Sequence, residues 1–278
     1  MEKLDYRKIE GLKIIAKNIR LSIIEMLEKA GSGHTAGSLD LVEILTILYF
    51  HTLRHKPQDP SWEERDRLVL SCGHTCPALY ATLAYAGYFP KDELSTLRQF
   101  GSRLQGHPDR QFLDILETSS GPLGSGLSQA VGMAMVDKIY NDSQRKFYAI
   151  LSDGEFDEGN TWEALMLAAK EKLSNLIVIV DRNYIQIGGN TENVMPLFDL
   201  KDKIKSFNCF VDEVDGHDFE ELDDAFRRAL NNKNSPTVIV AKTISAKGVK
   251  KWENDYRWHG KAPNKEEAQM AIKEINNG

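Results

Sequence analysis

The chain alternates short apolar segments with longer segments in which apolar residues recur at helical spacing. Leu176–Val180 is apolar at every position and rich in β-branched residues, and Arg67–Ser71 and Lys146–Leu151 are mostly apolar. Strands that are apolar throughout are typical of a parallel sheet that is buried on both faces. The alternation therefore predicts an α/β fold, an open parallel sheet with helices on both faces.

A long amphipathic helix is expected first, because apolar residues recur at helical spacing from Leu12 to Met26 and the pattern stops at Gly31-Ser32-Gly33. Further helices are predicted over Leu39–Leu53, Pro77–Ala86, a segment from Leu127, Glu158–Lys172 and Phe219–Leu230. Further strands are predicted over Phe210–Val214 and Thr237–Val240. A charged helix or tail, Asn264–Asn276, closes the sequence, and residues 1–278 are expected to form a single domain.

Composition excludes several classes of protein. Of 278 residues, 41% are hydrophobic and 27% charged, as in ordinary globular proteins. The formal charge is −6 and the basic residues form no block, so nucleic-acid binding is not expected. The N-terminus is charged and Leu176–Val180 is too short to cross a bilayer, so we expect no membrane segment. Three cysteines are too few for a disulfide framework, which favours a cytoplasmic location.

Polar residues follow two consecutive predicted strands. Ser152-Asp153-Gly154 follows the strand that ends at Leu151, and Asp181-Arg182-Asn183 follows the strand that ends at Val180, with one helix between the two strands. Parallel strands joined in this way lie about 4.8 Å apart and end at the same edge of the sheet, where α/β folds bind ligands. Carboxylate and amide oxygens suit Mg²⁺, and Gly154 lets a phosphate approach the backbone. Each segment alone is better explained as an ordinary turn; only their combination with the histidine loops favours a site for metal and diphosphate.

Four of the seven histidines lie in glycine-containing loops, namely His34, His74, His107 and His259. Each one alone fits a capping or solvent-exposed residue at least as well as a functional one. Together, after predicted helix or strand ends, they predict a polar cleft with several neutral proton donors and acceptors near physiological pH.

These motifs resemble those of thiamine diphosphate enzymes. Ser152-Asp153-Gly154-Glu155 with the downstream Asn183 is similar to that family's Gly-Asp-Gly motif with a downstream Asn, with Ser152 in place of the first Gly. Further strings resemble transketolases in order and rough spacing across nearly the whole chain: Gly31-Ser32-Gly33-His34, Leu70-Ser71-Cys72-Gly73-His74, Gly106-His107-Pro108-Asp109 and Gly121-Pro122-Leu123-Gly124-Ser125-Gly126.

The resemblance implies the thiamine-diphosphate-binding (PP-type) fold, with thiamine diphosphate and Mg²⁺ as cofactors. It implies that the metal is bound by Asp153, Asn183 and the backbone carbonyl of Ile185. It implies cofactor contacts from His74, Gly154 and His259 to the diphosphate, and from the backbone of Gly121 and Leu123 to the aminopyrimidine.

The resemblance also implies catalytic residues and an activity. His34, His107 and His259 would contact the sugar and the reacting carbon. Glu158 resembles a family carboxylate that links paired active sites, although an acid favoured by a helix N-terminus explains it equally well. The implied reaction transfers a two-carbon ketol unit from a ketose phosphate to an aldose phosphate, in pentose phosphate and carbohydrate metabolism.

In transketolases, the glutamate that activates the cofactor lies in a second α/β domain, and this sequence resembles only the first part of such chains. We therefore expect a separate C-terminal transketolase subunit that carries the pyrimidine-binding domain. The expected assembly is a heterotetramer with two copies of each chain, and the isolated chain is expected to be inactive.

Other interpretations remain open at this stage. The chain also fits half of a deoxyxylulose-phosphate synthase-like enzyme, the α subunit of a 2-oxo-acid dehydrogenase, a transketolase for an unusual sugar, or a non-catalytic cofactor-binding module. His107 in Gly-His-Pro-Asp favours transfer between sugars. Cys72 and Cys76 match no common zinc pattern. We expect His217 to serve the turn and cap before the helix at Phe219.

Overall fold

The computed structural model describes residues 1–141 and 143–277, so residues 142 and 278 of the expected domain lie outside it. Its strands are β1 (Arg67–Leu70), β2 (Phe147–Ser152), β3 (Leu176–Arg182), β4 (Ile185–Gln186), β5 (Gly189–Asn190), β6 (Phe210–Asp215) and β7 (Thr237–Lys242). Five of them form one sheet in the order β1-β2-β3-β7-β6, and every neighbouring pair is parallel. Strands β4 and β5 form a separate antiparallel hairpin.

The α-helices are α1 (Tyr6–Ala30), α2 (Ala36–Asp40), α3 (Val42–Ile47), α4 (Cys76–Tyr85), α5 (Ser125–Val136), α6 (Gly159–Lys170), α7 (Thr191–Val194), α8 (Leu200–Ser206), α9 (Phe219–Asn231) and α10 (Lys265–Asn277). The predicted helix Leu39–Leu53 is helical from Ala36 to Thr52, but in three pieces, because Leu41 with φ −84° and ψ 0° interrupts it and a wider turn follows Ile47. No helix in the described residues has both the length and the apolar character that a membrane crossing requires.

Two hydrophobic layers cover the sheet, because successive side chains of a strand point to opposite faces. Tyr148 and Ile150 of β2 pack in the larger layer with α1, α3, α4, α9 and α10. Ala149 and Leu151 pack in the smaller layer with α5, α6 and α8. This confirms the predicted open parallel sheet with helices on both faces.

The cap of α9 differs from the sequence-based expectation. Asp218 is the N-cap and accepts hydrogen bonds from the backbone N–H groups of Glu220 and Glu221. The His217 ring instead lies 2.9 Å from Glu43 Oε2 through Nδ1, and its Nε2 accepts the Ile244 N–H. His217 lies in the turn before α9 as predicted, but its predicted capping role is wrong, because a contact between distant segments holds the ring inside the fold.

Candidate functional site

The two predicted polar segments leave the sheet side by side. Strands β2 and β3 are paired with Ser152 opposite Asp181, so Asp153 and Asn183 follow adjacent strands at the same edge. The expectation that these segments share the carboxyl edge of the sheet is confirmed. The short 3₁₀-helix Asp153–Asp157 follows β2, and the β4–β5 hairpin follows β3.

Asp153 is fully buried, and its two carboxylate oxygens have different surroundings. Oδ2 accepts hydrogen bonds from Arg182 Nη1 at 2.9 Å, Tyr184 N at 3.0 Å and Thr191 Oγ1 at 3.2 Å. Oδ1 is buried and has no hydrogen-bond partner among the described residues. Burial raises the pKa of Asp153, and Arg182 opposes the increase. A buried oxygen without a partner is costly unless something else satisfies it.

The Asn183 amide is held on both sides. Its Nδ2 donates to Asp40 Oδ2 at 2.8 Å and to Asp181 Oδ2 at 3.0 Å, while Oδ1 accepts the Ile185 N–H at 2.8 Å. A carbonyl oxygen has two lone pairs, so Oδ1 retains one acceptor position. Asp40 is buried and was not identified from the sequence, because it lies far from Asn183 along the chain.

The donors present suit a hard cation. In the part of the chain that the structure describes, no group of three or more His, Cys, Asp or Glu side chains could hold a metal ion. A metal at this edge would therefore need oxygens of other types, and Mg²⁺ accepts carboxylate, amide and carbonyl oxygens together with phosphate. The unpartnered Asp153 Oδ1 and the available lone pair of Asn183 Oδ1 fit this requirement.

The turn between Asn183 and Ile185 is conformationally strained. Tyr184 has φ +62°, in the left-handed region that side chains other than glycine rarely adopt. Its ring covers the Arg182 guanidinium at 4.1 Å, and its N–H binds Asp153. Ile185, the predicted third metal ligand, follows directly and is buried. Strain of this kind is common at functional sites, where surrounding contacts maintain it.

The four predicted histidines lie in one cluster. The His34 ring centroid is 5.0 Å from that of His74, 6.4 Å from His107 and 5.7 Å from His259, and His74 and His259 are 5.3 Å apart. His74 lies in the 3₁₀-helix Gly73–Thr75 after β1, and the loops of His34, His107 and His259 follow α1, the 3₁₀-helix Lys91–Thr96 and the 3₁₀-helix Tyr256–Trp258. Residues far apart in the sequence therefore form a single polar wall.

Neighbouring contacts hold these loops together. Thr35 Oγ1 donates to the Lys261 carbonyl at 2.6 Å, which ties the His34 loop to the His259 loop. The Trp258 ring, adjacent to His259, stacks on Trp252 at 3.8 Å. Cys76, whose spacing from Cys72 matches no common zinc pattern, is buried. Its Sγ lies 3.3 Å from the carbonyl oxygen of Gly106, the residue before His107.

The pKa of each of the four histidines is lowered, which favours the neutral form of each ring. Burial, followed by the neighbouring His259 and His107, lowers the pKa of His34 to about 4. Burial and the other three rings lower the pKa of His74, and burial also lowers the pKa of His107 and of His259. The cluster is therefore uncharged near pH 7, so its rings can both accept and donate protons.

The glycine-rich loop lies beside this wall. Ser120 Oγ is buried and has no hydrogen-bond partner within the described ranges, and a Cβ on Gly121 would lie 3.9 Å from His107 Cδ2. Gly124 has φ +77°, and a Cβ there would overlap with Asn160 Oδ1. The Leu123 carbonyl faces Asn160 Nδ2 at 3.4 Å.

Glu155 connects three parts of the site, although its place in the motif is its only signal in the sequence. Its buried carboxylate accepts hydrogen bonds from Ser71 Oγ at 2.5 Å, Gly124 N at 2.6 Å and Ser152 N at 2.9 Å. These donors end β1, begin α5 and end β2, so Glu155 joins the glycine loop to two strand ends. Burial raises its pKa, and the three donors oppose the increase.

Two predicted site residues have less defined surroundings. Glu158 is exposed at the N-cap of α6 and makes no side-chain cap hydrogen bond. The structure places it at a helix end. A Cβ on Gly154 would meet Gln186 Cβ at 3.7 Å, an ordinary contact, so packing alone does not require glycine there.

Comparison with known proteins identifies the family. The sequence matches the family "Transketolase, thiamine diphosphate binding domain" over residues 12–276. The chain belongs to this transketolase family. Membership agrees with the resemblance found in the motifs, and it supports thiamine diphosphate as the cofactor.

Relatives of two lengths match this transketolase domain. The chain is 39% identical over 275 residues to the transketolase of Homo sapiens. The match covers 98% of the chain but only 43% of that relative. It is 40% identical over 260 residues to the 6-deoxy-6-sulfo-D-fructose transketolase subunit SqwG of Clostridium sp., covering 94% of each. It is 37% identical over 268 residues to an apulose-4-phosphate transketolase subunit of Phocaeicola vulgatus, covering 96% of the chain and 95% of that relative.

The fold is also that of solved transketolases. The crystal structure of transketolase from Campylobacter jejuni superposes with a TM-score of 0.90 at 35% identity, over 96% of this chain and 43% of that one. The chain thus spans less than half the length of this transketolase and of the human one.

Proposed function

We propose that this chain is the diphosphate-binding part of a transketolase that depends on thiamine diphosphate and Mg²⁺. With a partner that carries the pyrimidine-binding domain, it would transfer a two-carbon ketol unit from a ketose phosphate to an aldose phosphate. The observation that carries the proposal is the cluster of four histidines, one of which, His74, follows β1 at the same carboxyl edge of the sheet where Asp153 and Asn183 follow β2 and β3.

The metal would bind at this edge. Asp153 Oδ1, Asn183 Oδ1 and the Ile185 carbonyl are the proposed protein ligands, and the unpartnered, buried Asp153 Oδ1 supports this assignment. His74, Gly154 and His259 are the proposed contacts to the diphosphate. The backbone of Gly121 and Leu123, in the loop that Glu155 holds, is the proposed contact to the aminopyrimidine.

The histidine wall would handle protons of the sugar. Thiamine diphosphate, when bound, supplies the carbon centre at which the carbon–carbon bond is broken and remade. His34, His107 and His259 would orient the donor and exchange protons with its hydroxyl groups, a role that neutral imidazoles can fill near pH 7. Among the described residues no group hydrogen-bonds the buried His34 Nδ1, so this nitrogen retains its hydrogen-bonding capacity for a ligand group.

A separate partner subunit is part of the proposal. The two relatives that match over 94% and 95% of their own length are both named as transketolase subunits. We propose that residues 1–278 act as one diphosphate-binding domain and assemble with a C-terminal subunit, two copies of each. The exposed position of Glu158 is compatible with a contact that links paired sites. A cytoplasmic location agrees with three free, buried cysteines.

The substrate is a second question, and one observation favours an unusual sugar. The two relatives that match over nearly their whole length are named for 6-deoxy-6-sulfo-D-fructose and apulose-4-phosphate. A transketolase for a modified sugar, in place of the common pentose phosphates, is therefore the alternative that we carry forward.

The test begins with the protein from its source. The chain is purified under mild conditions, the native complex is weighed, and ketol transfer is assayed with and without the co-purifying chain. Pentose phosphates, modified ketoses and pyruvate are compared as donors. We expect activity with a sugar donor only in the complex. Full ketol transfer by the isolated chain would refute the partner, and use of pyruvate would refute transfer between sugars.

A further inference from the structure

Two buried carboxylates converge on one side-chain amide behind the proposed metal site. Asp40, the last residue of α2, is 0% exposed, and Asp181 of β3 is 1% exposed. Both accept a hydrogen bond from Asn183 Nδ2, at 2.8 and 3.0 Å respectively. Their second oxygens are also occupied, since Asp40 Oδ1 accepts the Ala246 N–H at 2.7 Å and Asp181 Oδ1 accepts the Thr243 hydroxyl.

These contacts permit one orientation of the Asn183 amide. Both hydrogens of Nδ2 are used by the two carboxylates, and Oδ1 accepts the Ile185 N–H at 2.8 Å. The reversed amide would place Oδ1 against two carboxylates and Nδ2 against an N–H donor. At the Ile185 N–H, and at each carboxylate oxygen that carries no proton, the hydrogen bond would then become a repulsive contact between like groups.

The orientation matters because only one end of an amide can bind a cation. The oxygen is a suitable Mg²⁺ ligand, whereas the NH₂ group has no lone pair to offer. We propose that Asp40 is a positioning residue for the metal: with Asp181, it holds Asn183 so that the amide oxygen faces the cation. The inference rests on the proposed function, in which Asn183 binds Mg²⁺.

Asp40 also connects this point to the rest of the site. It lies at the end of the short helix that begins two residues after His34, and its other oxygen binds Ala246, in the segment that leads to His259. Thr35 and Lys261 join the same two segments. One buried carboxylate, in the segment that follows His34, thus contacts the metal-side turn and the segment that leads to His259.

The expected effect is a loss of metal affinity. Partners that orient a metal ligand typically contribute about 10- to 100-fold to metal affinity. Asp40→Leu removes both acceptor oxygens and should weaken Mn²⁺ binding within that range. Asp40→Asn keeps one acceptor oxygen but turns an NH₂ group toward either Asn183 or Ala246, so it should cause a smaller loss, of about three- to tenfold.

The experiment titrates Mn²⁺ into the chain, together with any co-purifying partner chain, at saturating thiamine diphosphate. Free Mn²⁺ is measured by electron paramagnetic resonance, and thermal unfolding is recorded for each variant. Asp137→Asn is the matched control, because Asp137 is an equally buried carboxylate whose partners, Asn141, Ser143 and Arg145, all lie outside the site. The control should lose stability but keep its affinity for Mn²⁺.

Repeating Asp40→Leu in the Asn183→Asp variant separates an effect on amide orientation from a general disturbance of the fold. In Asn183→Asp the side chain carries two oxygens, so its orientation no longer decides which atom faces the metal. Asp40→Leu should then cause no further loss of Mn²⁺ affinity. An equal loss in both backgrounds would overturn the inference, as would an equal loss in the Asp137→Asn control. If Asp40→Leu does not fold, Asp40→Asn decides in its place.

The outcomes distinguish the two proposals. If the wild-type protein does not bind Mn²⁺ at saturating thiamine diphosphate, the proposed function fails. If the wild type binds Mn²⁺ and the folded Asp40 variants bind it equally well, the metal site stands and the positioning role of Asp40 is refuted.

Discussion

Glu155→Ala should destabilise the chain strongly, although Glu155 touches no proposed ligand. Its carboxylate is buried and accepts three hydrogen bonds, from Ser71 Oγ, Gly124 N and Ser152 N. Alanine leaves all three donors inside the fold without an acceptor. At about 1–2 kcal/mol for each buried donor, the loss amounts to about 3–6 kcal/mol. Typical domains have a free energy of unfolding of only about 5–15 kcal/mol, so the change is a large fraction of it.

The assay is urea unfolding followed by circular dichroism and tryptophan fluorescence. Glu155→Gln is the intermediate variant, because it keeps the shape and one acceptor oxygen but turns an NH₂ group toward N–H donors. Glu158→Ala is the control, since Glu158 is exposed and should change the free energy of unfolding by less than about 0.5 kcal/mol. A loss below about 1 kcal/mol for Glu155→Ala, or an equal loss for Glu158→Ala, would refute the reasoning.

Three further predictions concern the metal edge, the histidines and a close approach. Asp153→Ala should abolish metal-dependent retention of thiamine diphosphate in the assembled protein, and unchanged binding by calorimetry would remove Asp153 from the metal site. His34 should stay neutral to about pH 4 in an NMR titration. Because its folded pKa is lowered from 6.5, its contribution to stability is complete above pH 6.5 and is lost as the pH falls toward 4; a pKa near 6.5 would contradict this. Gly126→Ala should lower the free energy of unfolding by about 1–3 kcal/mol, because its Cβ would lie 2.6 Å from Ser71 Cα. Gly132→Ala in the same helix has open space and should raise the free energy of unfolding by about 0.5–1 kcal/mol. Equal effects of the two variants in urea unfolding would refute the packing argument.

Much of the fold could be predicted because its signals are local. Continuous apolar character predicts the strand Leu176–Val180, and the structure extends it to Arg182. The helix α8 and the β4–β5 hairpin were not predicted. Both are short, and the hairpin has only two residues in each strand, too few to show a period in the sequence.

The proposed site was predictable in outline but not in its supporting contacts. The rule for parallel crossovers was sufficient to place Asp153 and Asn183 at one edge, because consecutive strands joined by a helix run parallel and are usually neighbours. The roles of Glu155 and His217 were missed or misjudged. Their partners, Ser71 and Glu43, lie 84 and 174 positions away, and no local pattern relates residues at such separations.

By itself, the sequence determined the layered α/β fold, the polar edge after β2 and β3, and the histidine-bearing loops, since each depends on residue type at short spacing. The tertiary structure alone decided which oxygen of Asp153 lacks a partner, that Asp40 meets Asn183 across 143 positions, and that the clustered histidines are neutral. Burial and distance between remote segments set these properties, and both arise only when the layers pack around the sheet.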